Sequence, residues 1–315
     1  MIELRSFAKI NLGLEIIGKR TDGYHDLKTI FQTINFFDTI QIKENTRGQI
    51  HLTGDNPNIE WDQRNTIHKT IATIYQNYPV KQGFDIHVQK KIPAGSGLGG
   101  GSSNAALILM FLDLYFNLNI PMPQKIAIAA KIGADVPFFL FGGTVLAQGI
   151  GEKITPLPDL FMAETDVHLV IPTLKVPTRL IFSHFNLTTG PRKSKIDMFL
   201  TSRAKNILEN DLEKVTCELF PEVGIIKEKM SSSAYDLVLM SGSGSTVYGI
   251  YPDSSRDLSS QPAELSRQFP GSCVVATRTM NRGNYFNWIG ASPSGKASVF
   301  GADTRRFESS RPCIL

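Results

Sequence analysis

Between residues 93 and 103 the chain reads Pro93-Ala94-Gly95-Ser96-Gly97-Leu98-Gly99-Gly100-Gly101-Ser102-Ser103, and no other segment restricts the fold as tightly. Just before it, Phe84, Ile86 and Val88 alternate with polar residues, which predicts a strand. Just after it, the mostly apolar stretch 105–116 predicts a largely buried helix whose first turn emerges from the loop. Glycine lets backbone N–H groups approach a ligand closely, and the positive end of the following helix points into the loop. A strand, a glycine loop and a helix in that order make an anion cradle suited to nucleotide phosphates. A flexible linker is the bland alternative for any glycine run, but a linker would not sit between a regular strand and an apolar helix. The closing Gly-Lys-Ser/Thr of a Walker loop is missing, and so is the acidic residue about 20 positions on that marks a dinucleotide fingerprint.

The chain can bury a core around that unit. Its 315 residues, 42% hydrophobic and 20% charged, suit one large domain or two medium ones. Ala8, Ile10, Leu12, Leu14 and Ile16 recur at every second position, the mark of a half-buried strand. A turn-rich stretch at 18–23 and a second apolar region up to Ile42 follow. Helices are predicted over 65–78, with Ile67, Ile71, Ile74, Tyr75 and Tyr78 on one face, and over 124–131, closed by Gly133. Further helices are predicted over 205–219 and 263–269, and strands over 167–171, 236–240, 246–251 and 273–277. Strands and helices mix without strict βαβ alternation, which argues for the α+β class rather than a doubly wound sheet. A soft boundary at 157–163 divides residues 1–160 from 161–288. The Gly/Ser/Arg-rich remainder, 289–315, reads as a poorly ordered tail.

Composition narrows the function. A net charge of +4 without a basic block permits an anionic ligand but falls short of a nucleic-acid footprint. No stretch approaches the roughly 18 apolar residues of a membrane span. Cys217, Cys273 and Cys313 lie far apart, so neither a disulfide framework nor a zinc site is expected. Strand-like alternation begins almost at Met1, so no signal or transit segment is expected and the cytoplasm is the expected compartment. The expected partner is a small molecule, with no nucleic acid or membrane, and the chain is expected to be a monomer or a weak homodimer.

Four smaller motifs complete the pattern. In Gly133-Ala134-Asp135-Val136-Pro137 a lone carboxylate stands between apolar stretches. It either caps a turn before Pro137 or acts as a general base in a desolvated pocket, where a cationic neighbour must keep it ionised. Lys9 and Asn11 project from the face of their strand opposite Ile10 and Leu12; they are solvated surface unless Asp135 lies across from them. Ser241-Gly242-Ser243-Gly244-Ser245 is either an ordinary hairpin turn or a second glycine-rich wall, with Gly242 and Gly244 lining the site. Gly23-Tyr24-His25 sets an aromatic ring and an imidazole beside a glycine turn, which suits a planar base as well as it suits plain packing.

Taken in order, these motifs resemble the GHMP small-molecule kinases, named for galactokinase, homoserine, mevalonate and phosphomevalonate kinases. Ala8-Lys9-Ile10-Asn11-Leu12, the 18–25 segment ending in Asp22-Gly23-Tyr24-His25, and Ile132-Gly133-Ala134-Asp135-Val136-Pro137-Phe138 resemble the branch that acts on cytidine diphosphate methylerythritol. The match covers about residues 1–279. The resemblance implies a two-lobed fold, with a ribosomal-protein-S5-like N-terminal lobe and a ferredoxin-like C-terminal lobe. It implies that the 93–103 loop holds the ATP phosphates, that Lys9 and Asp135 are the catalytic pair, and that the substrate's 2-hydroxyl is phosphorylated. Tyr24 and His25 would then meet the cytosine with Phe182 on its other side, and Thr178 and Asn11 would add polar contacts. Mg²⁺ is expected with the ATP, on Ser102 or Ser103.

Ser96 stands where many members have glycine, which is tolerated if its φ is negative. The tail after Asn287 has no counterpart in the family pattern. The rival readings are another kinase of the family, acting on homoserine, mevalonate or a sugar, and an ATP-binding sensor that kept the fold without the chemistry. Gly23-Tyr24-His25 argues against the first and the presence of both Lys9 and Asp135 against the second.

Overall fold

A computed structural model of the chain describes residues 1–160, 165–186, 193–233, 235–251 and 261–289. Its spine is two long strands, β1 (Ile2–Lys19) and β2 (His25–Asn45), paired antiparallel along nearly their whole length. β3 (Ile50–Gly54) runs parallel to β4 (Gly83–Gln89), and β4 pairs with residues 39–45 of β2. β5 (Thr144–Gly149) takes residues 27–32 on that same edge, and β6 (Lys153–Pro156) extends it into a six-stranded sheet. The expected alternation of β1 is present, but the strand is buried on both faces: Lys9 and Asn11 are 2% and 1% exposed. The half-buried strand of the sequence is therefore an interior one, because protein also covers its polar face.

Three helices pack on the first sheet. α1 (Thr66–Asn77) starts where Asn65 accepts the Ile67 N–H, and it buries Ile67, Ile71 and Ile74. α2 (Gly100–Tyr115) is buried continuously from Ser103 to Asp113, as expected of a helix that is apolar all round. With α3 (Met122–Ile132) these helices close a core over Leu4, Phe7, Ile40, Ile42, Phe84 and Ile86.

The second sheet holds β7 (Asp166–Ile171), β8 (Leu237–Met240), β9 (Val247–Ile250) and β10 (Cys273–Arg278), antiparallel in the order β10-β7-β9-β8. Between β7 and β8 come α4 (Thr178–His184), α5 (Lys195–Ser202), α6 (Glu213–Leu219) and α7 (Pro221–Ser231), and α8 (Gln261–Gln268) precedes β10. One face of this sheet packs Val170, Val247 and Met240 on Val223, Ile226 and Met230 of α7. The other packs Leu169, Leu239, Tyr248 and Ile250 on Ala8, Ile10, Leu12, Ile30 and Ile34 of β1 and β2. The two halves thus share an apolar core, and β1 has that core on one face and the polar Lys9 and Asn11 on the other.

Several elements depart from the sequence reading. The single helix expected over 205–219 is a 3₁₀ turn, Lys205–Ile207, followed by α6. Asn210 breaks it: its backbone bridges to Leu14 of β1, and its side chain accepts the Leu212 N–H in place of a helical carbonyl. A last helix, α9 (Arg282–Ile289), leaves the second half and returns to the first core, burying Tyr285 and Ile289 there. Tyr285 also donates its hydroxyl to the Phe139 carbonyl at 2.5 Å. The expected tail begins at residue 289, but Ile289 ends α9 and is buried in the core; the rest of that tail, from residue 290, and part of the boundary region (161–164) lie outside the described residues. No helix among the described residues is long and apolar enough to cross a membrane.

Candidate active site

The glycine loop is clamped from two sides. On one side the Lys9 N–H donates to the Leu98 carbonyl at 3.0 Å, tying the loop to β1. Gly99 opens α2 at φ +74°, where a Cβ would stand 2.9 Å from the Phe139 ring and 3.2 Å from Lys9 Cγ. On the other side Gly97, at φ +81°, approaches the 241–245 turn so closely that a Cβ would lie 2.1 Å from the Ser241 carbonyl oxygen. Ser241 Oγ donates to the Gly97 carbonyl at 3.0 Å and the Thr246 N–H to the Ser96 carbonyl at 3.2 Å. Ser96 is not among the residues with positive φ, and its hydroxyl closes the loop on the Pro93 carbonyl at 2.7 Å.

Beside the loop opens a cavity of about 1030 Å³. Its walls bring together most of the residues singled out in the sequence: Pro93 to Gly97, Gly99 to Ser102, Lys9, Asn11, Asp135, Tyr24, His25, Thr178, Phe182 and Gly242. Three residues of that set do not line it. Leu98 is wholly buried in the core between the halves. Ser103 is buried and accepts a hydrogen bond from Ser6 Oγ at 2.7 Å. Gly244 faces Met240 and Thr216 rather than the cavity. Asn11 pairs in register with Phe31 and Lys19 with His25. The Lys9–Asn11 end and the His25 end are therefore separated by about 20 Å of strand, at roughly 3.3 Å per residue.

At the first end the Lys9 ammonium donates to Asn11 Oδ1 at 2.7 Å and lies 5.0 Å above the Phe31 ring. The Asn11 amide is turned by its own partners, donating to Thr29 Oγ1 at 2.8 Å, so its oxygen faces the lysine. Across the gap Asp135 Oδ2 stands 3.6 Å from Lys9 Nζ. Burial pushes the pKa of Lys9 down, and the neighbouring carboxylate opposes that shift. The Asp135 side chain is 34% exposed, so it opens to the cavity while Lys9 lies behind it. A carboxylate with an open face and a fixed cation beside it can accept a proton from an alcohol, and the cation favours negative charge developing nearby. The backbone of Gly242 closes this end: a Cβ there would stand 3.5 Å from both Lys9 Nζ and Asn11 Oδ1.

At the other end His25 begins β2. Burial holds its pKa below the usual 6.5, and the Lys19 charge adds to the effect, so the ring is neutral at pH 7. The ring lies 5.5 Å from that of Phe182, tilted by 31°. Tyr24 is exposed, with its N–H held by Asp22 Oδ1 at 3.1 Å. The Thr178 and Ser243 hydroxyls are 2.9 Å apart, which links α4 to the second glycine turn.

Other wall residues carry no functional signal in the sequence: Trp61, Arg64, Asn65, Thr66, Lys90 and Arg179. Asn65 and Thr66 read in the sequence only as a helix start, yet Thr66 Oγ1 donates to the Gly101 carbonyl at 2.8 Å and joins the start of α1 to the loop. Lys90 forms a buried ion pair with Asp38, which also accepts the Lys91 and Ile92 N–H groups at 2.9 Å. Arg179 sits on α4, too short a helix to show a period.

Residues 65–143 match the GHMP kinases N terminal domain family, and residues 200–265 match GHMP kinases C terminal. A 4-diphosphocytidyl-2-C-methyl-D-erythritol kinase of Clostridium botulinum (strain Eklund 17B / Type B) is 36% identical over 266 residues, covering 80% of this chain and 91% of the relative. The protein of that name from Bacillus cytotoxicus is 38% identical over 257 residues, covering 79% and 88%. A crystal structure of 4-(cytidine 5'-diphospho)-2C-methyl-D-erythritol kinase superposes with a TM-score of 0.73 at 28% identity, covering 88% of this chain and 99% of that one. Both halves of the fold and near-complete coverage of these relatives agree, and the chain belongs to the GHMP kinase family, among its 4-diphosphocytidyl-2-C-methyl-D-erythritol kinases.

Proposed function

We propose that this chain transfers the γ-phosphoryl group of ATP to the 2-hydroxyl of 4-diphosphocytidyl-2-C-methyl-D-erythritol, a step of the non-mevalonate route to isoprenoid precursors. The observation that carries the reading is that one cavity holds the glycine loop, the Lys9–Asp135 pair at 3.6 Å and the His25–Phe182 pair at its far end. A nucleotide triphosphate and a nucleotide-linked alcohol can then meet at the lysine. The loop's N–H groups and the start of α2 receive the ATP phosphates. Asp135 accepts the proton of the attacking hydroxyl, and Lys9, 3.6 Å away, offsets charge developing on the transferring group. Positioning and electrostatics supply the larger share of the acceleration, as in other phosphoryl transfers. His25, Tyr24 and Phe182 hold the cytosine, with Asn11 and Thr178 as polar contacts.

No group of three metal-ligating His, Cys, Asp or Glu side chains occurs among the described residues. Mg²⁺ keeps much of its water shell and arrives on nucleotide phosphates, needing one or two protein oxygens rather than a cage. The Ser102 hydroxyl, which lines the cavity, and the Asp135 carboxylate are the side chains that would meet it. Bound there, the ion would neutralise phosphate charge.

The test is to incubate the protein with Mg-ATP and the cytidine diphosphate methylerythritol, with mevalonate and homoserine as controls, and to assay ADP and the 2-phosphate. Turnover only with the cytidine substrate is expected, and a loss of about 10²–10⁴ in kcat for Asp135→Asn with the ATP KM retained. Turnover with mevalonate or homoserine alone overturns the substrate assignment, and undiminished kcat in Asp135→Asn overturns the role of that carboxylate.

A further inference from the structure

Five cationic side chains line the cavity among the described residues: Lys9, Lys19, Arg64, Lys90 and Arg179. Three of them already face carboxylates. Lys9 faces Asp135 at 3.6 Å, Lys90 is paired with buried Asp38, and Arg64 is paired with Asp62 at 2.7 Å and with Glu60 at 2.5 Å. The acidic wall residue nearest Lys19 in sequence, Asp22, is engaged by Arg20 at 2.9 Å. Lys19 and Arg179 are left with no carboxylate partner among the described residues.

Both stand at the far end of the cavity. Lys19 is the register partner of His25 and close enough to depress its protonation. Arg179 precedes Phe182 by three residues on α4, which sets the two side chains on one helix face. Phe182 is the ring that faces His25. The exposed and uncompensated positive charge of the cavity is thus concentrated around the two rings rather than at the glycine loop. An uncharged nucleoside has no use for it; a phosphate chain attached to the base does.

We propose that Lys19 and Arg179 form the subsite for the diphosphate of the acceptor, flanking the chain between its base and its reacting alcohol. The inference rests on the proposed function for the base-binding end. It adds which side chains of this chain hold that diphosphate, so that the acceptor is read by charge as well as by its base. The guanidinium of Arg179 can hold two phosphate oxygens at once, while Lys19 acts as a point charge.

The experiment compares CDP with cytidine by isothermal titration, at pH 8 so that His25 stays neutral in every variant, with excess ADP occupying the glycine loop. CDP is expected to bind the unaltered protein at least tenfold more tightly than cytidine. Lys19→Ala and Arg179→Ala should each weaken CDP about fivefold and cytidine little, the span of an exposed charge pair. In the double variant, and in 0.5 M salt for the unaltered protein, the preference should nearly vanish. Lys19→Arg and Arg179→Lys should keep most of it, which a merely structural role would not require. The acceptor KM should rise in the alanine variants while the ATP KM stays. An unchanged CDP-to-cytidine ratio in the double variant overturns the proposal. Failure of the unaltered protein to phosphorylate the acceptor would instead count against the proposed function, and the ratio would still be measured separately.

Discussion

The contact between the two glycine-rich segments can be tested by one added methyl group. In Gly97→Ala the new Cβ would stand 2.1 Å from the Ser241 carbonyl oxygen, 3.0 Å from the Ser241 carbonyl carbon and 3.1 Å from the Gly244 oxygen. All three are backbone atoms, so no rotamer change relieves the collision, and one loop must move. The residue is also at φ +81°, where a side chain is strained. Strain of about 1–2 kcal/mol and overpacking of about 1–3 kcal/mol together predict a loss of about 2–5 kcal/mol. Gly95→Ala separates the two effects: its φ is +72°, but nothing lies within 4 Å of the new Cβ, so only strain is added. At about 2–4 °C per kcal/mol, Gly97→Ala should lower Tm by about 4–20 °C and Gly95→Ala by about 2–8 °C. Moving the 241–245 turn also displaces Gly242 from Lys9 and Asn11, so kcat should fall in Gly97→Ala. Differential scanning calorimetry with a steady-state assay reads both. Equal Tm shifts in the two variants, or a Gly97→Ala enzyme with undiminished kcat, would refute the argument that the loops are held in direct contact.

Three further variants test other contacts of the site. Asn210 donates to the Met240 carbonyl at 2.9 Å and the Gly242 carbonyl at 2.7 Å, so Asn210→Ala should destabilise the protein by about 2–3 kcal/mol and lower kcat. Urea unfolding and a kinetic assay check this, and an unaltered unfolding midpoint would contradict it. For His25 the folded pKa lies below 6.5, so the unfolded chain binds more protons in the window just under 6.5. Its contribution is present above that pH and is lost as pH falls toward the folded pKa. His168, held low by burial, acts in the same direction. His25→Gln should therefore flatten, without abolishing, the fall in urea midpoint between pH 7 and 5, and His25→Ala should weaken the cytidine substrate more than ATP. An unchanged slope, or equal losses for both ligands, would contradict the placement of the ring.

Much of this arrangement is legible residue by residue, because local periodicity and turn chemistry act over a few neighbours. The alternation of β1, the helix opened by Asn65 and the glycine loop running into an apolar helix are of that kind. So is the placement of Lys9 and Asn11 on the face away from Ile10 and Leu12. Short elements such as β6 and α4 offer too few residues for a period to emerge, and Asn210 ended the 205–219 helix through a strand distant in sequence.

What the local pattern could not supply is which polar groups lose water. Lys9 could equally have been a solvated lysine on a half-covered strand. The second sheet buries one face of β1, and the glycine loop, α2 and the 241–245 turn close over the other. That enclosure brings Asp135 to 3.6 Å and leaves Lys9 2% exposed. It likewise set Gly242 toward the cavity and Gly244 away from it, and Ser102 toward it and Ser103 away, although the members of each pair are alike in composition. Side-chain type and spacing follow from the chain itself. Desolvation and charge pairing depend on elements that meet only when both halves have packed, and those decide which of the named residues form a site.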